Sequence, residues 1–97
     1  RHIQYNKHKN SISGYRIRIY SNLGRKARRG SDNAKARFYS FFPEVPIYLK
    51  YESPYYKVYV GNFRTINDAL NILKDVKYYF PSAFIVPDDI KFPKLEE

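Results

Sequence analysis

The chain has 97 residues and no cysteine, which excludes disulfides, thiolate nucleophiles and cysteine-based zinc sites. Its net charge of +9 predicts an anionic partner, and its 11 tyrosines and 7 phenylalanines predict flat contact surfaces with a polar edge. No apolar run approaches the roughly 18 residues that a membrane-spanning helix requires.

Residues 1–13 are polar and basic without a clear period, and we interpret them as a linker or arm within a longer protein. Both histidines, His2 and His8, lie in this arm, and so few ligands do not favour a metal site. The pattern changes at Gly14. The segment RIRIY, residues 16–20, alternates polar and apolar side chains and predicts a half-buried strand.

A basic segment, GRKARRG at residues 24–30, follows this strand and is predicted to be a loop. The spacing of apolar residues predicts a helix from about Gly30, with Phe38 on its apolar face and Pro43 beyond its end. A second strand is predicted over 46–51. Three interpretations of the basic loop stay open, namely contact with a glycan, contact with anionic lipid head groups, and a solvated loop without a binding role.

A second strand–helix–strand unit follows the first. The segment YYKVYV, residues 55–60, predicts a strand, and Thr65 is predicted to cap a helix because Asp68 lies three residues on. Apolar residues then recur at helical spacing up to Phe80. A short apolar strand is predicted over 82–86.

The two units match each other in sequence. YRIRIYSN aligns with YKVYVGNF, and FFPEVPIYL aligns with YYFPSAFIV. Two such units in one sheet predict an α+β fold of the ferredoxin or ribonucleoprotein type, βαββαβ, with a four-stranded antiparallel sheet and both helices on one face. The domain is predicted to span 14–87, and the tail 88–97 is expected to pack on or near it through Ile90, Phe92 and Leu95.

The side-chain period of a strand separates the residues into two faces. The apolar side is predicted to face the helices and comprises Ile17, Ile19, Ile47, Leu49, Val58 and Val60. The opposite, helix-free side is predicted to hold Arg16, Arg18, Tyr20, Tyr48, Lys50, Lys57 and Tyr59. Phe84 is a further candidate for that side. Open faces are often polar, and tyrosine favours strands, but several tyrosines beside two arginines favour a binding surface.

The segment VYVGNF, residues 58–63, matches the first ribonucleoprotein motif of RNA-recognition domains. In that family the motif lies on the first strand and its companion motif lies on the third. Here VYVGNF falls on the third predicted strand, and SAFIVPDDI, which follows it, contains no companion motif. The match is therefore discounted.

Residues from Gly14 to about Val86 resemble the SPOR domain, a βαββαβ module of bacterial envelope proteins. The resemblance is strongest over YKVYVGNFRTINDALNILKDVKYYFPSAFIV, which is similar to the family pattern of aromatic-basic-Val-x-Val-Gly-x-Phe followed by a Ser/Thr-led helix. Thr65 and Ala69 hold the spacing of that helix. The first strand departs from the family pattern, because Arg18 stands where Gln is frequent and Tyr20 where Gly is frequent.

The resemblance implies a peptidoglycan-binding module that recognises glycan strands without stem peptides. It also implies a periplasmic or other envelope location, often at division sites, within a longer exported or membrane-anchored protein. A stripped strand exposes lactyl carboxylates beside apolar sugar faces, so arginines are expected to bind carboxylates and tyrosines to stack on sugars. The candidate glycan-binding residues are Arg16, Arg18, Tyr20, Ser21, Tyr48, Lys50, Lys57, Tyr59 and Phe84.

The sequence contains no recognisable catalytic set. The carboxylates are scattered, and no Gly-x-Ser-x-Gly motif or phosphate-cradling glycine loop occurs. We therefore expect a non-enzymatic, monomeric module without a cofactor or a metal. Two alternatives stay open, namely binding of single-stranded nucleic acid through the same tyrosines and arginines, and docking of the open face on a neighbouring domain.

Overall fold

The computed structural model describes residues 11–91 of the chain. The elements are β1 (Ser11–Leu23), α1 (Ala27–Phe41), β2 (Ile47–Glu52), β3 (Tyr55–Phe63), α2 (Ile66–Tyr79) and β4 (Phe84–Lys91). The four strands form one antiparallel sheet in the order β2-β3-β1-β4. The predicted α+β class and βαββαβ order are therefore confirmed. The predicted roles of His2, His8, Phe92 and Leu95 concern positions outside the described residues.

The core lies between one face of the sheet and the two helices. Each of the six strand residues predicted to face the helices belongs to the core cluster or packs against it. The helices contribute Phe38 from α1 and Val76 from α2, both fully buried, and the Phe38 ring lies 6.0 Å from that of Phe80. Burial of these large apolar side chains is the main stabilising contribution to such a fold. Within residues 11–91, no helix lies on the other face of the sheet.

The second helix begins as the sequence predicts. The Thr65 hydroxyl oxygen accepts a hydrogen bond from the backbone amide of Asp68 at 3.1 Å, which satisfies one of the free amides of the first turn. Ala69 and Val76 face the sheet and are fully buried. The apolar spacing and the capping residue therefore both indicate the helix that the structure contains.

The first helix begins at Ala27, three residues before the predicted position. The basic segment 24–30 is therefore a short turn followed by the first turn of α1, and the prediction of a loop through Gly30 is wrong. Ala27 is buried, and its carbonyl oxygen accepts a hydrogen bond from the Tyr20 hydroxyl at 3.0 Å. These contacts hold the start of the helix against the sheet, while the cationic side chains beside Ala27 point into solvent.

Strand β1 begins before residue 14 and strand β4 continues beyond residue 87, so the sheet extends past both predicted domain boundaries. Strands β1 and β4 pair continuously from Ser11 opposite Lys91 to Arg18 opposite Phe84. Ile90 is buried, but it belongs to β4 rather than to a separate tail. Pro87 is tolerated within β4 because this strand lies at the edge of the sheet.

The pairing between strands β1 and β3 contains two irregularities. Arg18 pairs with Tyr59 and Tyr20 pairs with Val58, so β1 contains one extra residue at this point. A second extra residue lies in β3 near Gly61, whose φ of +84° is in the left-handed region that favours glycine. The first irregularity changes which side chains reach the open face.

Candidate functional site

The helix-free side of the sheet, called the open face below, carries one continuous row of side chains. The pairing registers place Tyr48 of β2 beside Tyr59 of β3, Tyr59 beside Arg18 of β1, and Arg18 beside Phe84 of β4. All four residues were candidates from the sequence. The structure therefore brings an aromatic–aromatic–cation–aromatic row together across the full width of the sheet.

Arg18 and Phe84 form the accessible end of this row. The guanidinium carbon of Arg18 lies 4.5 Å from the centroid of the Phe84 ring, a cation–π contact. Phe84 is 42% exposed and Arg18 is half-buried. Among the described residues, Arg18 forms no ion pair with a carboxylate. Its guanidinium group is thus available to an external anion.

Arg16 lies on the same face but is only 6% exposed. Its Nη1 atom lies 3.3 Å from Oδ2 of Asp88, its Nη2 atom donates to Oδ1 of Asn62 at 3.2 Å, and its guanidinium covers the Tyr48 ring at 4.2 Å. Its Nε atom is buried and has no hydrogen-bond partner among the described residues. The expectation that Arg16 binds a ligand carboxylate is not supported by this geometry, because its charge is already compensated.

The Asp88 carboxylate bridges Arg16 and Lys50. Lys50 lies on β2, at the opposite edge of the sheet from β4. The Lys50 Nζ atom lies 3.2 Å from the same Oδ2 atom and 5.3 Å from the Tyr59 ring centroid. Asn62 completes the arrangement by donating to the Tyr48 hydroxyl at 2.6 Å. We call the five residues that share these contacts the cross-sheet network: Arg16, Tyr48, Lys50, Asn62 and Asp88. The network draws on all four strands and fixes the orientation of the Tyr48 ring.

Sequence reasoning missed Asp88 and Asn62. Asp88 lies four positions after Phe84, so alternation places both on the open face once β4 is known to continue to Lys91. The apolar run ends at Val86, and Pro87 follows, which is why the strand was predicted to stop early. Asn62 lies beside the irregularity in β3, which no pattern in a single strand predicts.

The remaining candidates on the open face are less accessible or already paired. Tyr59 is only 7% exposed, so its ring offers little area to a ligand. Lys57 pairs with Glu52 at 2.7 Å and lies 5.6 Å from the Tyr55 ring centroid. Ser21 is exposed and lies opposite Lys57 in the register, which places it on the open face.

Tyr20 is the candidate that the structure places on the opposite side. The extra residue in β1 pairs Tyr20 with Val58, whose side chain faces the helices. The Tyr20 ring packs against the core, its hydroxyl bonds to Ala27, and Gly30 provides the space it occupies. The predicted position of Tyr20 on the open face is therefore wrong, and its contacts are those of a residue that fixes α1.

Positive charge is concentrated away from the open face. Among the described residues, the open face holds four cations, Arg16, Arg18, Lys50 and Lys57, against the carboxylates of Glu52 and Asp88, a net charge of +2. Six Lys and Arg residues lie between Arg25 and Arg37, with Asp32 as the only carboxylate in that segment, a net charge of +5. The anionic partner that the total charge predicts is therefore better matched by α1 than by the sheet.

Comparisons with known protein families, with curated proteins and with solved structures found no match for this chain. Within residues 11–91, neither helix is long and apolar enough to cross a membrane. In the same range, no group of three or more histidine, aspartate or glutamate side chains is placed to hold a metal ion.

Proposed function

We propose that this domain is a non-catalytic module that binds peptidoglycan glycan strands without stem peptides through its open face. The observation that carries the proposal is the row Tyr48–Tyr59–Arg18–Phe84, in which an arginine without a carboxylate partner among residues 11–91 lies on an exposed aromatic ring. The resemblance of Gly14 to Val86 to the SPOR domain supports the same assignment.

The chemistry of a stripped glycan strand fits this row. Each muramic acid that has lost its peptide carries a lactyl carboxylate, which the forked donors of Arg18 can bind in two parallel hydrogen bonds. The apolar C–H face of a sugar can stack on Phe84, as sugars do on exposed aromatic rings. Because neighbouring strands lie about 4.8 Å apart, Arg18 and Phe84, the accessible pair of the row, can together contact one sugar ring and its carboxylate.

The modest charge of the open face also suits this polymer. A stripped strand carries one carboxylate for every two sugars, whereas a nucleic acid carries one phosphate for every nucleotide. Asp88, on the edge strand β4, adds a negative charge to the open face and compensates Arg16 and Lys50. A densely charged polymer therefore gains less electrostatic attraction from the open face than a sparsely charged polymer does.

Single-stranded nucleic acid is the second candidate ligand of the open face. The observation that favours it is the same row, because bases also stack on aromatic rings that lie beside arginines. The two candidates differ in their response to Asp88→Asn. That substitution leaves Arg16 and Lys50 without their carboxylate, so it is expected to increase binding of a fluorescent oligonucleotide more than retention on amidase-treated sacculi, because the oligonucleotide carries the denser charge.

Sedimentation with purified sacculi, before and after amidase treatment, tests the proposal. We expect the domain to sediment with amidase-treated sacculi and the double variant Arg18→Ala/Phe84→Ala to lose at least tenfold in affinity. The matched control is Arg64→Ala/Tyr78→Ala, which removes an exposed cation and an aromatic ring that is 81% exposed, neither of them on the open face. Failure of the unmodified domain to sediment with amidase-treated sacculi overturns the proposal.

The proposal extends to the setting of the domain. Its glycan ligand lies in the bacterial envelope, so we infer a periplasmic or wall-facing location, for example at division sites. Any attachment to a membrane would then lie outside residues 11–91, where neither helix can span one. The row lies within one chain, so a monomer is sufficient for binding.

A further inference from the structure

A second surface with the chemistry of a binding site lies at the start of α1, outside the open face. Four cationic side chains line a concavity of about 670 Å³ together with one carboxylate. We call this concavity the basic pocket, and its residues are Arg25, Lys26, Arg28, Arg29 and Asp32. All five residues are exposed, and their formal charges sum to +3.

The cations of the basic pocket are not compensated from within the described chain. Across residues 11–91, none of the four side chains takes part in a hydrogen bond, an ion pair or a cation–π contact. Arg16, Lys50 and Lys57 on the open face, by contrast, each have a carboxylate partner. Four like charges held close together repel one another, and an external anion relieves that repulsion.

The backbone that carries these side chains is held in place. The Tyr20 hydroxyl bonds to the Ala27 carbonyl, and the Ala27 amide donates to the Gly24 carbonyl at 3.1 Å. Gly24 has a φ of +102°, which allows the tight turn between β1 and α1. Ala27 itself is buried. The backbone from which the pocket side chains extend is therefore fixed, so binding of an anion costs little backbone entropy.

We propose that the basic pocket binds a ligand with at least two neighbouring phosphate groups. Three guanidinium groups offer forked pairs of donors, which match the oxygens of phosphate, and a net charge of +3 exceeds what one carboxylate compensates. The concavity is open to solvent and is larger than one phosphate group. Diphosphates, phosphate polymers and membrane surfaces in which anionic phospholipid head groups lie side by side share this chemistry. The site is separate from the glycan proposal and does not depend on it.

Titration with sodium pyrophosphate, followed by amide chemical shifts and calorimetry, tests this site. We expect saturable binding, with shift changes centred on residues 25–32. The variant Arg28→Gln/Arg29→Gln should bind at least tenfold more weakly. The control Lys74→Gln/Lys77→Gln removes the same charge from exposed positions on α2 and should bind as the unmodified protein does.

A second arm identifies the source of the phosphate groups. The protein is mixed with vesicles of phosphatidylglycerol and, separately, of phosphatidylcholine. Binding to the phosphatidylglycerol vesicles alone, displaced by pyrophosphate, supports the site with a lipid source. Saturable pyrophosphate binding without vesicle binding supports it with a soluble or polymeric source. Absence of saturable pyrophosphate binding, or an equal loss in the α2 control, overturns the proposal.

Discussion

At the scale of single residues, Arg16 shows how the open face is built. Its guanidinium is buried among Asp88, Asn62 and the Tyr48 ring, so it holds these side chains in place and is not accessible to a ligand. Arg18, two residues on, has no carboxylate partner among the described residues and lies on an exposed ring. Two arginines with the same sequence environment therefore have different roles.

Removal of the Asp88 charge tests this division of roles. Asp88→Asn leaves the buried guanidinium of Arg16 without its anion, and we expect a loss of about 1–3 kcal/mol in the free energy of unfolding. Urea denaturation measures the loss. Glu52→Gln is the control, because its pair with Lys57 is more exposed and should contribute at most about 1 kcal/mol. Equal, small losses in both variants would contradict a compensating role for Asp88.

At the scale of secondary-structure elements, α2 depends on its capping residue. Thr65→Ala removes the acceptor of the Asp68 amide, and we expect the free energy of unfolding to fall by about 0.5–2 kcal/mol. Urea denaturation again provides the measurement. Ser40→Ala serves as the control, since Ser40 is an exposed residue near the end of α1 and caps no helix. A comparable loss in the control would rule out a specific capping contribution.

The start of α1 combines features that reduce helix stability. It has no side-chain cap and no acidic residue in its first turn, while Arg28 and Arg29 place positive charge near the positive end of the helix dipole. Arg29→Glu is therefore expected to raise the free energy of unfolding by about 0.3–1 kcal/mol and to weaken pyrophosphate binding. Thermal and urea unfolding measure the first effect and calorimetry the second. Lower stability together with weaker binding would contradict this account of the arginines.

The sequence predicts some elements better than others, for physical reasons. In α2, the cap at Thr65 and the apolar period agree, so both the type and the start of the helix are predictable. The open-face positions of Arg18 and Tyr48 follow from strand alternation, whereas the side of Phe84 is defined only by its pairing with Arg18, because the apolar run over 82–86 is too short to fix it. The position of Tyr20 does not, because the extra residue in β1 is defined by pairing with β3 and not by β1 itself. The network around Asp88 was missed because β4 continues beyond its apolar run.

At the scale of the whole molecule, the charge divides the protein into two surfaces. The open face combines aromatic rings with cations that are largely compensated, whereas the basic pocket holds cations that lack partners within residues 11–91. The net charge of +9 is therefore a poor guide to the open face. It describes the surface of α1 better.

The two surfaces are expected to respond differently to salt. Raising the ionic strength from about 0.1 M to about 1 M shortens the Debye length from about 10 Å to about 3 Å. Pyrophosphate affinity, which depends on several exposed charges, should fall at least tenfold in calorimetry. Retention on amidase-treated sacculi should fall less, because stacking on Phe84 is not screened. Equal falls in the two assays would indicate that charge alone drives both interactions.

The most direct test of the glycan-binding account is amide chemical-shift mapping with soluble glycan fragments that lack stem peptides. The account predicts saturable shift changes on β1–β4 around Arg18, Tyr48, Tyr59 and Phe84, and a loss of these changes in Arg18→Ala/Phe84→Ala. It also predicts little change over the exposed sides of α1 and α2. Shift changes centred on the helices, or unaltered in the double variant, would contradict recognition of the glycan by the open face.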